Sequence, residues 1–158
     1  MEKLNWILIF ISTFMVMEFN AWFLHKYVMH GFLWNLHLDH HVESKDRWWQ
    51  YNDFFAFFFA VPSFLFILTD HLFAKPTLGA IGFGIMGYGI AYFFVHEVLI
   101  HRRLKFFSKL DNWYFEALNS AHKIHHKVRT KEGASCFGML IVPMVYFKKS
   151  WSKYHRIK

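Results

Sequence analysis

Apolar residues along the chain gather in three long blocks separated by polar, histidine-rich segments. The first block runs from Leu4 to Leu24, 21 residues interrupted only by Asn5, Ser12, Thr13, Glu18 and Asn20. As a helix it would be about 31 Å long, enough to cross the hydrocarbon core of a bilayer. It is too long for a signal peptide. Trp22, Phe23 and Leu24 also stand where a small-residue cleavage site would be needed, so the block is expected to be a retained span. The second block runs from Phe54 to about Phe73, with a kink expected at Pro62. Lys75 and Pro76 predict a short turn, and the third block runs from Thr77 to about Val95. Its Ala80, Gly84, Gly87 and Ala91 recur at helical spacing and predict a stripe for close helix contact. Cys136 to Phe147 is apolar for only 12 residues and holds Gly138 and Pro143. That is too short to span, and predicts a segment in the interface or one that dips in and returns. The expected fold is an all-α integral membrane protein of about three transmembrane helices, with a helical, histidine-rich cap.

Composition agrees with lipid as the solvent. Hydrophobic residues make up 55% of the 158 and aromatics 22%, including 21 Phe, more than one water-soluble domain of this size could hide. The length fits one domain, residues 1–158. The single Cys136 excludes an internal disulfide and suits a reducing compartment. The formal charge of +7 is unevenly spread: segments 25–53 and 96–158 hold 16 of the 18 Lys and Arg. Three spans put both segments on one side, which the positive-inside rule makes cytoplasmic, in the inner membrane. Trp48, Trp49 and Tyr51 predict an aromatic anchor before the second span. The charge is thus juxtamembrane, and no nucleic-acid motif accompanies it.

Ten of the twelve histidines fall into four clusters on that same side. They are His25 and His30, then His37, His40 and His41, then His96 and His101, then His122, His125 and His126. The order is H-x4-H, H-x2-HH, H-x4-H, H-x2-HH, an internal repeat. On a helix the three imidazoles of H-x2-HH fall within an arc of about 100°, aimed in one direction. An H-x4-H pair is about 140° apart on an α-helix, so it needs a distorted helix end or ligands divided between two ions. Gly31 is a plausible terminator there. Ten imidazoles suit two metal ions. Imidazole accepts zinc, copper, iron and nickel alike, but structural zinc commonly recruits Cys, and two adjacent ions with open positions suit oxygen activation. His71 and His155 stand apart and are expected to be polar tips at the interface.

Metal-bound imidazoles usually donate their second nitrogen to a carboxylate or carbonyl. Asp39, Asn52, Asp53 and Glu97 are placed to serve. Glu18 lies within an apolar span, seven residues before His25 and about 10 Å deeper on nearly the same face. With Tyr88, Tyr92 and the Gly84–Gly87 face it is expected either to border a pocket beneath the metals or to hydrogen-bond between packed helices. Ser108 and Asp111 look like a capping pair, beyond which Tyr114, Leu118, His122 and His125 form an amphipathic stripe with the histidines inward.

The four boxes in this order on a short multi-span chain resemble the membrane-bound fatty acid hydroxylase superfamily, and within it the bacterial-type β-carotene 3-hydroxylases. HKYVMHGFLWNLHLDHH, the Asn52–Asp53 pair and AHKIHHKVRTKEGASCFGML carry the resemblance; HEVLIHRR is more divergent around its histidines. The likeness spans about Glu18 to Phe147. It implies a non-haem diiron monooxygenase with all ten box histidines as ligands, hydroxylating C3 of β-ionone rings with O2 and two electrons. The chain has no Cys cluster and no room for a reductase domain. Electrons are therefore expected from a separate, acidic, ferredoxin-like protein. A fatty-acyl or sterol hydroxylase or desaturase is the nearest alternative. A metal transporter would need ligands near the bilayer midplane, where the spans offer little beyond Glu18 and Asn20.

Overall fold

The computed structural model describes residues 1–42, 49–104, 110 and 112–157, and among these the only regular secondary structure is helical. Trp48 of the expected anchor and the Ser108–Asp111 pair lie outside the described residues. Three helical rods are long and apolar enough to cross a membrane: Lys3–Phe32, Tyr51–Phe73 and Pro76–Ile100. The first consists of α1 (Lys3–Phe23) continued by a π-helical segment, Leu24–Phe32. A short helix, α2 (Trp34–His41), follows after Gly31, whose φ of −104° and ψ of −124° break the rod. The second rod enters through a 3₁₀ turn at Tyr51–Ala56 and becomes α3 (Phe57–Phe73), which continues through Pro62. Ala74 ends it in the left-handed region, at φ 50°, and Pro76 opens α4 (Pro76–Phe93) one turn later, the reversal predicted at Lys75–Pro76. A second π segment, Phe94–Ile100, continues α4.

Small residues let α4 sit between the other two spans. A Cβ added at Gly84 would stand 2.7 Å from Thr13 Cβ and 2.8 Å from Phe10 O, so this face lies directly against α1. A Cβ at Gly82 would meet Ile67 Cγ1 at 2.7 Å and Ser63 O at 2.9 Å, so the other side of α4 is as close to α3. Ser63 Oγ donates across that contact to Gly82 O at 2.8 Å. Met17, Ala21, Ile85 and Tyr88 form a small core between α1 and α4. Leu4, Ile11, Phe19, Phe64, Leu65 and Ile90 on the outer faces are exposed, as lipid-facing side chains would be.

Beyond the spans lie α5 (Trp113–His126) and α6 (Met144–Ile157), packed on each other. The α5 cap is Asn112, whose side chain accepts from Phe115 N at 3.0 Å; it lies one residue beyond the expected Ser108–Asp111 pair. Leu118, His122 and His125 are buried, so the predicted stripe does face inward. The 136–147 segment is not one element. Its first part is irregular backbone and its end begins α6. Glu18 grips the irregular part: its carboxylate accepts from the backbone N–H groups of Met139 (3.0 Å), Leu140 (3.0 Å) and Ile141 (2.9 Å). Tyr88 O–H donates to the same carboxylate at 2.7 Å. The loop therefore reaches a level about two helical turns below His25 on the first rod, and its amides are satisfied by protein.

Candidate metal centre

The π segments resolve the H-x4-H spacing. A π-helix bonds i to i+5, which brings residues five apart nearly into register. His101 N donates to His96 O at 2.9 Å, the defining bond, and Leu33 N donates to Val28 O at 3.0 Å in the first segment. His25 and His30 consequently face one site, and His96 and His101 another.

The ten imidazoles converge as two adjoining cages. In the first, one ring nitrogen from each of His25, His30, His37, His41 and His125 lies within 4.8 Å of all the others; His40, His101, His122 and His126 form the second in the same way. His96 joins the second, with its Nε2 3.1 Å from His40 Nε2 and its ring edge-on to His101 and His122. The H-x2-HH clusters do not aim all three rings one way, because an arc of about 100° is wide enough to straddle two sites. Each helix gives its i, i+4 pair to one cage and its middle histidine to the other. From α2, His37 and His41 go to the first cage and His40 to the second; from α5, His122 and His126 go to the second and His125 to the first. The cages touch where His41 stacks on His126, with ring centroids 4.6 Å apart.

The protons can be placed by exclusion. Nδ1 of His25, His30, His41 and His125 faces the main-chain carbonyls of Phe137 (3.0 Å), Lys131 (3.1 Å), Val128 (2.8 Å) and Ser135 (2.8 Å). His96 Nδ1 faces Glu97 Oε1 at 2.6 Å. These oxygens only accept, so each Nδ1 carries the proton and each Nε2 is a bare lone pair. Yet Nε2 atoms meet at close range: His30 to His125 at 3.2 Å, both bare, and His37 to His25 at 3.2 Å and to His41 at 3.1 Å, where one proton on His37 could serve at most one of the two. Lone pairs facing without a proton repel, unless a cation lies between them. Nitrogens bound to one ion at ~2.0–2.1 Å stand roughly 2.8–3.4 Å apart, which is the spacing found. Nε2 of His126 is buried without any hydrogen-bond partner, a further open ligand position. The donor set therefore fits two metal ions.

Burial favours the neutral form of the rings on α2 and α5. It holds His37, His40 and His122 well below the ordinary histidine range, with neighbouring imidazoles pushing in the same direction. His41 falls to about 4 and His125 to about 3, again chiefly through burial. A neutral imidazole is the form a metal needs.

The other sequence candidates divide. Asn52 Oδ1 lies 2.6 Å from His37 Nδ1, and Glu97 bonds His96, so both support cage rings directly. Asp53 stands one bond further out, on Arg103 at 2.9 Å. Asp39 supports no ring; its Oδ2 accepts from Tyr51 N at 2.6 Å and ties α2 to the second rod. Glu18 holds the loop and is not part of the lining of the cavity beneath the cages. Tyr88 and Tyr92 do line a cavity of about 760 Å³ between α1, α3 and α4, whose inner end is His25, Asn52 and Glu97. Gly84 and Gly87 do not face it, since both turn toward α1; the cavity glycine is Gly89. Phe58, Phe64, Ile90 and Phe93 at the rim are exposed, so the cavity opens where lipid would be. Gln50, Arg103 and Phe137, which packs on His25, His30 and His125, join the site without having been singled out in the sequence, although HEVLIHRR contains Arg103 and AHKIHHKVRTKEGASCFGML contains Phe137. His71 and His155 are exposed and distant from the cages.

Fold and site together define a membrane protein that carries a twin imidazole cage at one end of three apolar helices, above a lipid-facing cavity. The chain belongs to the fatty acid hydroxylase family, whose profile matches residues 10–146. It is similar to the beta-carotene hydroxylase of Pantoea ananas, 40% identical over 139 residues that cover 88% of this chain and 78% of that protein. The beta-carotene hydroxylase of Paracoccus sp. (strain PC1) is 35% identical over 139 residues, covering 87% and 85%. The chloroplastic beta-carotene 3-hydroxylase of Gentiana lutea is 35% identical over 114 residues, covering 70% of this chain and 35% of the longer plant protein. No solved structure matches.

Proposed function

We propose that the protein is a carotenoid hydroxylase that inserts oxygen at C3 of β-ionone rings, converting β-carotene to β-cryptoxanthin and then to zeaxanthin. The observation that carries this is the adjacency of two all-imidazole cages to an apolar cavity open toward lipid, in a chain similar to beta-carotene hydroxylases along most of its length. All ten box histidines are the proposed ligands, five to each of two iron ions. When bound, the iron pair supplies the reduction of O2 and the removal of a hydrogen atom from the ring carbon. One oxygen atom enters the C–H bond and the other leaves as water, consuming two electrons and two protons.

The chain's own residues do the rest. The Nδ1 partners fix the rings so that Nε2 lone pairs converge before metal arrives. Phe137 covers His25, His30 and His125 and keeps water from that face of the site. Tyr92, its ring tilted against His96 with centroids 5.1 Å apart, forms the wall where cavity meets cage. A carotenoid is about as long as a bilayer is thick, so it lies among the spans with one ring at the His25 end. The cages lie at the cytoplasmic face of the inner membrane, where the basic segments are. Electrons arrive there from an acidic, ferredoxin-like donor.

Expression in cells that accumulate β-carotene, followed by pigment chromatography, tests the proposal. Hydroxylated pigments are expected. Unchanged β-carotene from cells whose purified protein carries its full metal would reject the substrate, and lipid analysis of the same cells would reveal a hydroxylated acyl chain or sterol instead.

A further inference from the structure

The two cages are built alike but oriented by different means. In the first, four ring tautomers are fixed by main-chain carbonyls and His37 faces the Asn52 amide, with no charged group in direct contact with these rings. In the second, His40 and His96 lean on side chains, and both side chains lead to one guanidinium.

Arg103 Nη2 lies 2.5 Å from Gln50 Oε1, and Arg103 Nε lies 2.7 Å from Glu97 Oε2. Its Nη1 donates to both carboxylate oxygens of Asp53, at 2.9 and 3.1 Å. Asp53 in turn accepts from Gln50 N at 3.0 Å, which closes the ring of contacts. A guanidinium only donates. The Gln50 amide must therefore present its oxygen to Arg103, and that same oxygen lies 3.0 Å from His40 Nδ1. An oxygen cannot donate, so His40 Nδ1 must hold the proton and Nε2 must be bare. Glu97, which the same arginine contacts, accepts from His96 Nδ1 whichever way it turns, so His96 Nε2 is bare and faces that of His40 at 3.1 Å.

We propose that Arg103 is a positioning residue that sets the tautomer of His40, and so makes the second cage competent for metal without acting on the first. The inference rests on the reading of the cages as metal sites. Without the fork, Gln50 is free to turn its amide nitrogen toward His40. His40 Nδ1 then accepts, the ring proton moves to Nε2, and the ligand position closes. Lysine keeps the charge but offers no planar fork that reaches Glu97, Gln50 and Asp53 together. Loss of such an outer partner costs about tenfold or more in metal affinity.

The experiment is iron analysis of the full-length protein in detergent under chelator challenge, with Mössbauer spectra of ⁵⁷Fe-loaded samples. Wild type is expected to hold two irons. Arg103→Lys should lose the more labile one at a chelator concentration at least tenfold lower, and one spectral component should vanish while the other is unchanged. Adding Gln50→Glu to Arg103→Lys should restore the lost iron, because a carboxylate accepts from His40 whichever way it turns. A purely structural role for Arg103 would not be rescued this way. Two irons retained with an unaltered spectrum in Arg103→Lys, or equal loss of both with no rescue, would overturn the inference. Wild type that binds no iron pair would instead reject the metal reading beneath it.

Discussion

Gly87 and Gly89 stand two residues apart on α4 and therefore face nearly opposite ways. A Cβ on Gly87 would approach the Phe10 ring at 3.2 Å, while one on Gly89 would meet nothing within 4 Å although that residue lines the cavity. A larger side chain at Gly89 thus grows into the space proposed for the substrate without moving a helix. Gly89→Leu should lower carotenoid turnover at least tenfold and leave iron content at the wild-type value. Elemental analysis beside a pigment assay checks this, and full turnover in Gly89→Leu would place the substrate elsewhere. The contrast shows what residue identity can and cannot tell. Ten clustered histidines announce their chemistry by type, but not how they divide: each H-x2-HH is expected to aim one way and instead straddles two cages. Which glycine borders a cavity is a matter of 200° around a helix axis whose zero is set by packing. The carbonyls of Val128, Lys131, Ser135 and Phe137 were not legible at all, because every residue has a carbonyl and only the fold aims these four at rings.

The π segments pose the same question one level up. The spans, the turn at Lys75–Pro76, the break at Gly31 and the inward face of α5 all follow from hydropathy, punctuation or periodicity, and all were legible. The π turns follow from none of these, since no propensity distinguishes HEVLIH from an α-helical run. The awkward angle of H-x4-H was the only signal, and it called for a distorted helix without saying which. If the π turn exists to align His96 with His101, changes of length should obey helix arithmetic. Inserting Ala between Val98 and Leu99 makes the pair i, i+6, more than 100° apart on an α-helix and about as far apart on a π-helix. Deleting Leu99 makes it i, i+4, only about 40° apart on an α-helix. The insertion should therefore cost the second cage its iron and abolish turnover. The deletion should retain more iron than the insertion, even though both change the segment by one residue. Iron content ranked the other way would mean that the π turn serves something other than ring alignment.

The molecule as a whole is polarised. Its cages, its irregular loops and 16 of its 18 basic residues belong to the segments at one end of the spans. Within that end, Lys123, Lys127, Arg129 and Lys131 are exposed on the tail of α5 and the loop after it. The same stretch supplies His125 and His126 to the cages and the carbonyls that hold His41 and His30. An acidic donor seated on this patch would stand within a few residues of both cages, so the charge that attracts it also sets the electron's path. Attraction between exposed charges is screened beyond about 10 Å at 0.1 M salt. Complementary charge acts mainly on the association rate. Turnover supported by a limiting donor should then fall severalfold as salt rises from low to physiological strength and beyond. Turnover driven by a small uncharged reductant should not change. Lys127→Glu with Arg129→Glu should mimic high salt, lowering the donor-dependent rate and flattening its salt dependence, with iron content intact. A donor-dependent rate indifferent both to salt and to charge reversal would move the docking site off this patch, because no other mechanism of attraction argued for it would survive that result.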